Sequence, residues 1–140
     1  LAFEQMSLMI RETGAGGAND IACGAKRYLI MVSHEAKRFV DRVGYVTSPG
    51  FLDGGDAREQ AGFVGGGPSA IITTLGILRP DPQTHEFQLD AYFAFSGVDE
   101  ILANTGWDLK VAAAARVVPE PSPEELAALR RVDETGMLRR

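Results

Sequence analysis

Ala70-Ile71-Ile72-Thr73-Thr74 is a short, β-branched apolar run, and Gly76-Ile77-Leu78-Arg79 reads as its extension. A run of this kind is the clearest strand signal in the sequence. Pro80-Asp81-Pro82-Gln83-Thr84-His85 then supplies turn residues, and Glu86-Phe87-Gln88-Leu89-Asp90-Ala91-Tyr92 alternates polar with apolar. Together these segments predict a C-terminal antiparallel hairpin with one face buried. Upstream, residues 26–33 end in Tyr28-Leu29-Ile30-Met31-Val32, an apolar block of strand formers. Residues 43–47 alternate enough for a brief strand, stopped by Ser48-Pro49-Gly50.

Helical signals fall between and after these runs. Ser96 is placed to cap a helix over about residues 98–105, with Asp99 and Glu100 in its first turn and Gly106 as its stop. Ser122-Pro123-Glu124-Glu125 has the form of a capping box with proline at the first helical position, and Leu126, Leu129 and Val132 follow as an apolar stripe. Residues 34–42 read as a short helix or structured connection, and residues 107–111 as an extended segment. Residues 53–67 hold six glycines without periodicity, which predicts a long loop.

The stretch with most potential for chemistry is Thr13-Gly14-Ala15-Gly16-Gly17-Ala18-Asn19-Asp20. Three glycines in four residues are costly inside a helix or strand, so a loop is expected that offers its backbone to a ligand at a sheet edge. As a dinucleotide fingerprint it fails, because the third small residue and a preceding strand are missing. It also lacks the lysine and hydroxyl residue of a P-loop. Composition alone leaves a bare tight turn and a ligand loop as equal readings.

Other reactive side chains are isolated. His34 and Glu35 are adjacent and point to opposite faces of an extended segment, while His85 lies in a turn. Two distant histidines and one cysteine do not make a metal set, and Cys23 among small residues reads as packing. No nucleophile-elbow pattern surrounds Ser33 or Ser48. Lys37, Arg38 and Arg58 are candidates for phosphate or carboxylate contacts, with ordinary ion pairs the favoured reading.

Length and composition narrow the classes. With 140 residues, 45% of them hydrophobic, one domain with a real core is expected. A net charge of −5 argues against a nucleic-acid partner. No apolar run has the length of a membrane span, so no membrane partner is expected, and residues 1–10 lack the basic start of a signal peptide. A single cysteine fits a reducing compartment, and a soluble, cytoplasmic protein is expected.

Read in order, Gly14-Ala15-Gly16-Gly17-Ala18-Asn19, Ser33-His34-Glu35-Ala36-Lys37-Arg38-Phe39, Tyr45-Val46-Thr47-Ser48-Pro49-Gly50, Gly67-Pro68 and Glu100-Ile101-Leu102-Ala103-Asn104-Thr105-Gly106-Trp107-Asp108-Leu109 resemble landmarks of the B-type subunit of family I CoA-transferases, in particular the glutaconate group. The resemblance covers roughly residues 13–133. It implies an α/β fold of the CoA-transferase type, an open sheet flanked by helices. It implies transfer of CoA from an acyl-CoA to a small carboxylic acid, an A-type partner subunit in a hetero-oligomer, and no cofactor beyond CoA as substrate.

By the same resemblance Gly16 and Gly17 belong to the catalytic loop facing the thioester, and Gly14, Ala18 and Asn19 bind the CoA substrate beside it. The nucleophilic glutamate of the family lies upstream of this loop in a Glu-Ser-Gly-like motif. Glu4, Glu12 and Glu35 have the wrong neighbours for that role. Because B-type subunits are longer and residues 1–10 open inside an apolar run, residues 1–140 are read as one domain, the C-terminal part of such a subunit. The rival readings are a non-catalytic scaffolding subunit and a thioester hydrolase of the same fold.

Overall fold

The structure, a computed structural model, describes residues 16–137. The expectations about residues 1–10, Glu12 and Gly14 lie outside the described residues. Helix α1 (Gly16–Gly24) leads into strand β1 (Tyr28–Val32), and α2 (Ala57–Gln60) interrupts the long connection to β2 (Pro68–Thr73). There follow β3 (Gly76–Pro80), β4 (Phe87–Tyr92), α3 (Val98–Ala103), β5 (Val111–Val117) and α4 (Pro123–Val132).

The strands form one mixed, five-stranded sheet in the order β1-β2-β3-β4-β5. β1 runs parallel to β2, with Ile30 beside Ile71 and Val32 beside Thr73. The β2–β3 and β3–β4 pairs are antiparallel, and β5 returns parallel to β4. The result is an α/β domain with an open sheet. Its core is a single cluster of Leu78, Leu89, Phe39, Ile101 and Leu109, with Ile71, Val98 and Trp107 packed against it. Leu78, Leu89 and Ile101 are fully buried, so β3, β4 and α3 hold the centre.

Several elements differ from the sequence expectation, each for a local reason. The apolar run at residues 70–79 is two strands, because the Thr73 hydroxyl takes the Leu75 and Gly76 amides at 3.1 and 2.9 Å and closes a tight reversal. The expected antiparallel hairpin around the 81–86 turn is β3 and β4, which take the third and fourth places of five, with β5 following them. Strand β5, Val-Ala-Ala-Ala-Ala-Arg-Val, carries too weak a strand signal to be read from composition. Residues 43–47 form no strand, and Val43, Tyr45 and Val46 stand exposed. The extended segment expected at residues 107–111 begins as a strand only at Val111.

Caps sort in the same way. Gly97, not Ser96, is the N-cap of α3; the buried Ser96 hydroxyl donates instead to the Phe93 and Leu75 carbonyls. Asn104 ends α3, whereas Gly106 meets a different need: a Cβ there would lie 2.7 Å from the Phe39 carbonyl oxygen. The capping box of α4 is present in full, with the Glu125 amide donating to Ser122 Oγ at 3.2 Å and the Ser122 amide donating to the Glu125 carboxylate at 2.8 Å.

Candidate functional site

From Gly16 onward the glycine-rich stretch is not a free loop. Gly16 and Gly17 open α1, a nine-residue helix. The cost that argued against a helix falls on its first turn alone, where Gly16 takes a left-handed φ of +52° and the amides have no intrahelical acceptor in any case. Gly16, Gly17 and Ala18 are exposed. Asn19 is half-buried, and its side-chain oxygen accepts the Cys23 thiol at 3.5 Å. Cys23 is thus bonded within its own helix.

A Cβ built on Gly17 meets nothing within 4 Å, whereas one on Gly65 or Gly66 would lie 2.1 or 2.6 Å from the Ala25 or Lys26 carbonyl oxygen. The glycines at 65 and 66 are explained by the close crossing of two backbones. Gly17 is not explained by packing among the described residues. The amides of Gly17, Ala18 and Asn19 lie in the first turn of the helix, the donor end, suited to an oxygen that gains negative charge.

The opposite end of α1 is held by Arg58, which is only 5% exposed. Its Nη2 donates to the Ala22 and Cys23 carbonyls, its Nη1 to Gly50 at 2.9 Å and Pro49 at 3.4 Å, and its Nε to Gly65 at 2.8 Å. The Phe63 ring lies under the guanidinium at 5.2 Å. Sequence favoured an ion pair for this residue, and the structure replaces it with backbone carbonyls, because loop and helix ends converge there with unpaired acceptors. Lys37 and Arg38 do pair with a carboxylate, meeting Glu35 at 2.7 and 3.5 Å on the surface. The Lys37 ammonium holds the Glu35 carboxyl below its usual range, so Glu35 is an ion-pair partner.

His34 follows β1 and is buried. Its Nδ1 lies 3.1 Å from Thr73 Oγ1 and its Nε2 3.0 Å from Thr105 Oγ1, and its ring stacks on Phe39 with centroids 4.1 Å apart. Burial pulls the imidazole pKa below its ordinary value, against a weaker upward push from the Ile101 carbonyl. No sequence signal linked positions 34, 73 and 105, which come from different elements.

An open groove of about 820 Å³ lies elsewhere, lined by Phe51, Phe63, Gly65, Gly66 and His85 beside Arg58. A smaller groove beside it shares Phe51, Gly66 and His85 and reaches Pro68 at the start of β2. The Arg58 donors are already spent on carbonyls, and Gly16 to Asn19 do not line the groove. His85, expected in a turn, is in one: its φ is +60°, its Nδ1 donates to the Gly55 carbonyl at 2.6 Å, and its ring stacks on Phe51. Among the described residues no three His, Cys, Asp or Glu side chains gather to hold a metal, and no helix is long and apolar enough to cross a membrane.

Comparison with known proteins gives consistent relatives. The family model for coenzyme A transferase matches residues 6–104. The B-type subunit of glutaconate CoA-transferase from Acidaminococcus fermentans is 40% identical over 127 residues, which cover 90% of this chain and 47% of the relative. The B-type subunit of 3-oxoadipate CoA-transferase from Pseudomonas knackmussii is 38% identical over 124 residues, covering 89% and 48%. The chain spans about half the length of the curated relatives it matches. The crystal structure of glutaconate coenzyme A-transferase from Acidaminococcus fermentans superposes with a TM-score of 0.78 at 41% identity, over 86% of this chain and 46% of that one. The ordered motifs, the mixed sheet and a family match over more than half of the chain agree, and this chain belongs to the coenzyme A transferase family.

Proposed function

We propose that residues 1–140 form the C-terminal part of a B-type subunit of an acyl-CoA:carboxylate CoA-transferase, working in the cytoplasm as a hetero-oligomer with an A-type subunit. The observation that carries the reading is the first turn of α1, where Gly16, Gly17 and Ala18 are exposed and packing among the described residues does not require glycine at position 17. In the reaction a carboxylate outside these residues attacks the thioester carbonyl, and the carbonyl oxygen becomes an oxyanion. The amides of Gly17 and Ala18 stabilise that charge, Gly16 sets the turn that exposes them, and Gly14 and Asn19 flank the CoA. Collapse breaks the C–S bond, releases CoA thiolate and leaves an acyl anhydride. The thiolate then attacks the enzyme's own carboxyl carbon and frees the first acid as its carboxylate. No cofactor beyond CoA enters this cycle.

A side chain at position 17 has room among the described residues, so it is expected to act on the ligand and leave the fold intact. In the assembled two-subunit enzyme, Gly17→Val is expected to lower turnover on the order of a hundredfold, the scale of one lost oxyanion donor, with assembly and melting unchanged. Cys23→Ala serves as control and should turn over normally. Normal turnover in assembled Gly17→Val enzyme would remove α1 from the active site.

A further inference from the structure

Where the Gly17 and Ala18 amides stand depends on how α1 is held. Packing holds it weakly, since Ala22 is its only buried residue and Ile21 is 62% exposed. The firm attachment is polar. Arg58 takes the Ala22 and Cys23 carbonyls, acceptors of the last turn that lack intrahelical donors, and the Gly65 amide donates to the Cys23 carbonyl at 3.3 Å. A guanidinium also suits the negative end of the helix dipole. The same planar group binds the carbonyls of Gly50 and Gly65, so it locks the end of α1 to two separate loops in one geometry.

We propose that Arg58 is a positioning residue for the thioester site: by fixing the C-terminal end of α1 it sets the position of the Gly17 and Ala18 amides at the other end. The inference rests on the oxyanion role proposed above. A nine-residue helix is a stiff rod about 13 Å long, so a tilt or slip at the clamped end moves the other end. Oxyanion donors tolerate little of this, because displacements near 1 Å cost about a hundredfold in rate. Lysine keeps the charge but places its donors on one atom, so it cannot span acceptors on three segments.

The test uses Arg58→Lys and Arg58→Ala in the assembled enzyme, with Gly17→Val alongside, and reads segment-resolved amide exchange, kcat and KM. Arg58→Lys should speed exchange across α1 while β2, β3 and β4 keep wild-type protection, and should lower kcat about tenfold or more with KM little changed. Millimolar guanidinium, far below denaturing levels, should restore part of the kcat of Arg58→Ala. Wild-type exchange in α1 together with wild-type kcat in Arg58→Lys would overturn the inference while leaving the oxyanion reading intact. Equal loosening of α1 and the sheet, without guanidinium rescue, would overturn it by making Arg58 merely structural. Normal turnover in Gly17→Val would remove the oxyanion reading itself, and the role of Arg58 with it.

Discussion

At the scale of single residues, His34 is the buried titratable group whose behaviour is most open to measurement. A neutral imidazole presents one donor and one acceptor, matched here by two threonine hydroxyls, and the ring face stacks on Phe39. Its folded pKa is depressed, so the unfolded chain binds the proton more readily than the native one. The stability it contributes is therefore full above the unfolded pKa of about 6.5 and is lost as pH falls from there through the folded value. His34→Gln should cost about 1–3 kcal/mol at pH 7.5 and abolish the slope just below pH 6.5, as read by urea unfolding at a series of pH values. An unchanged slope in the variant would move the acid lability to another group. The depressed carboxyls of Glu35 and Asp81 act separately, since their contribution is present above about pH 4 and lost only below it.

Among elements, β1 poses the sharpest contrast between sequence and environment. It is apolar throughout and runs parallel to β2, a setting in which strands are normally covered on both faces. Yet Leu29 is 59% and Met31 80% exposed, and the outer edge of β1 has no ladder partner among the described residues. No charge or proline guards that edge. The chain is therefore expected to self-associate at low micromolar concentration. Leu29→Lys with Met31→Lys should return it to a monomer with unchanged far-ultraviolet circular dichroism, because lysine on an edge blocks pairing. Sedimentation decides this, and a monodisperse wild-type chain would mean that the edge needs no cover. Element legibility followed local chemistry: the α4 capping box and β1 were readable because their signals lie within a few residues. The break between β2 and β3 rests on the Thr73 hydroxyl's bonds to the Leu75 and Gly76 amides, a turn that the apolar run around it conceals.

On the scale of the whole molecule, five strands and the first turn of α1 provide a scaffold and donors but no assigned nucleophile. Glu35 is tied up with Lys37 and Arg38, and the remaining carboxylates have no family motif around them. The 140-residue chain alone is expected to form no acyl-enzyme, because covalent transfer needs an activated carboxylate. Incubation with glutaryl-CoA or acetyl-CoA followed by hydroxylamine should give no protein hydroxamate. A hydroxamate on any residue of the chain would place the nucleophile within it.

Order and spacing along the chain were enough to establish the family, the α/β class, the capping of α4 and the place of the glycines before β1. These follow from ordered motifs and short-range periodicity, which survive in any environment. Folding was needed to show that Gly16 and Gly17 begin a helix, that Arg58 bonds carbonyls in place of carboxylates, and that His34 joins Thr73 and Thr105. The last two outcomes depend on which unpaired backbone and hydroxyl groups converge once the chain has folded. A chain read residue by residue carries no trace of that convergence, because the partners lie 7 to 71 positions apart.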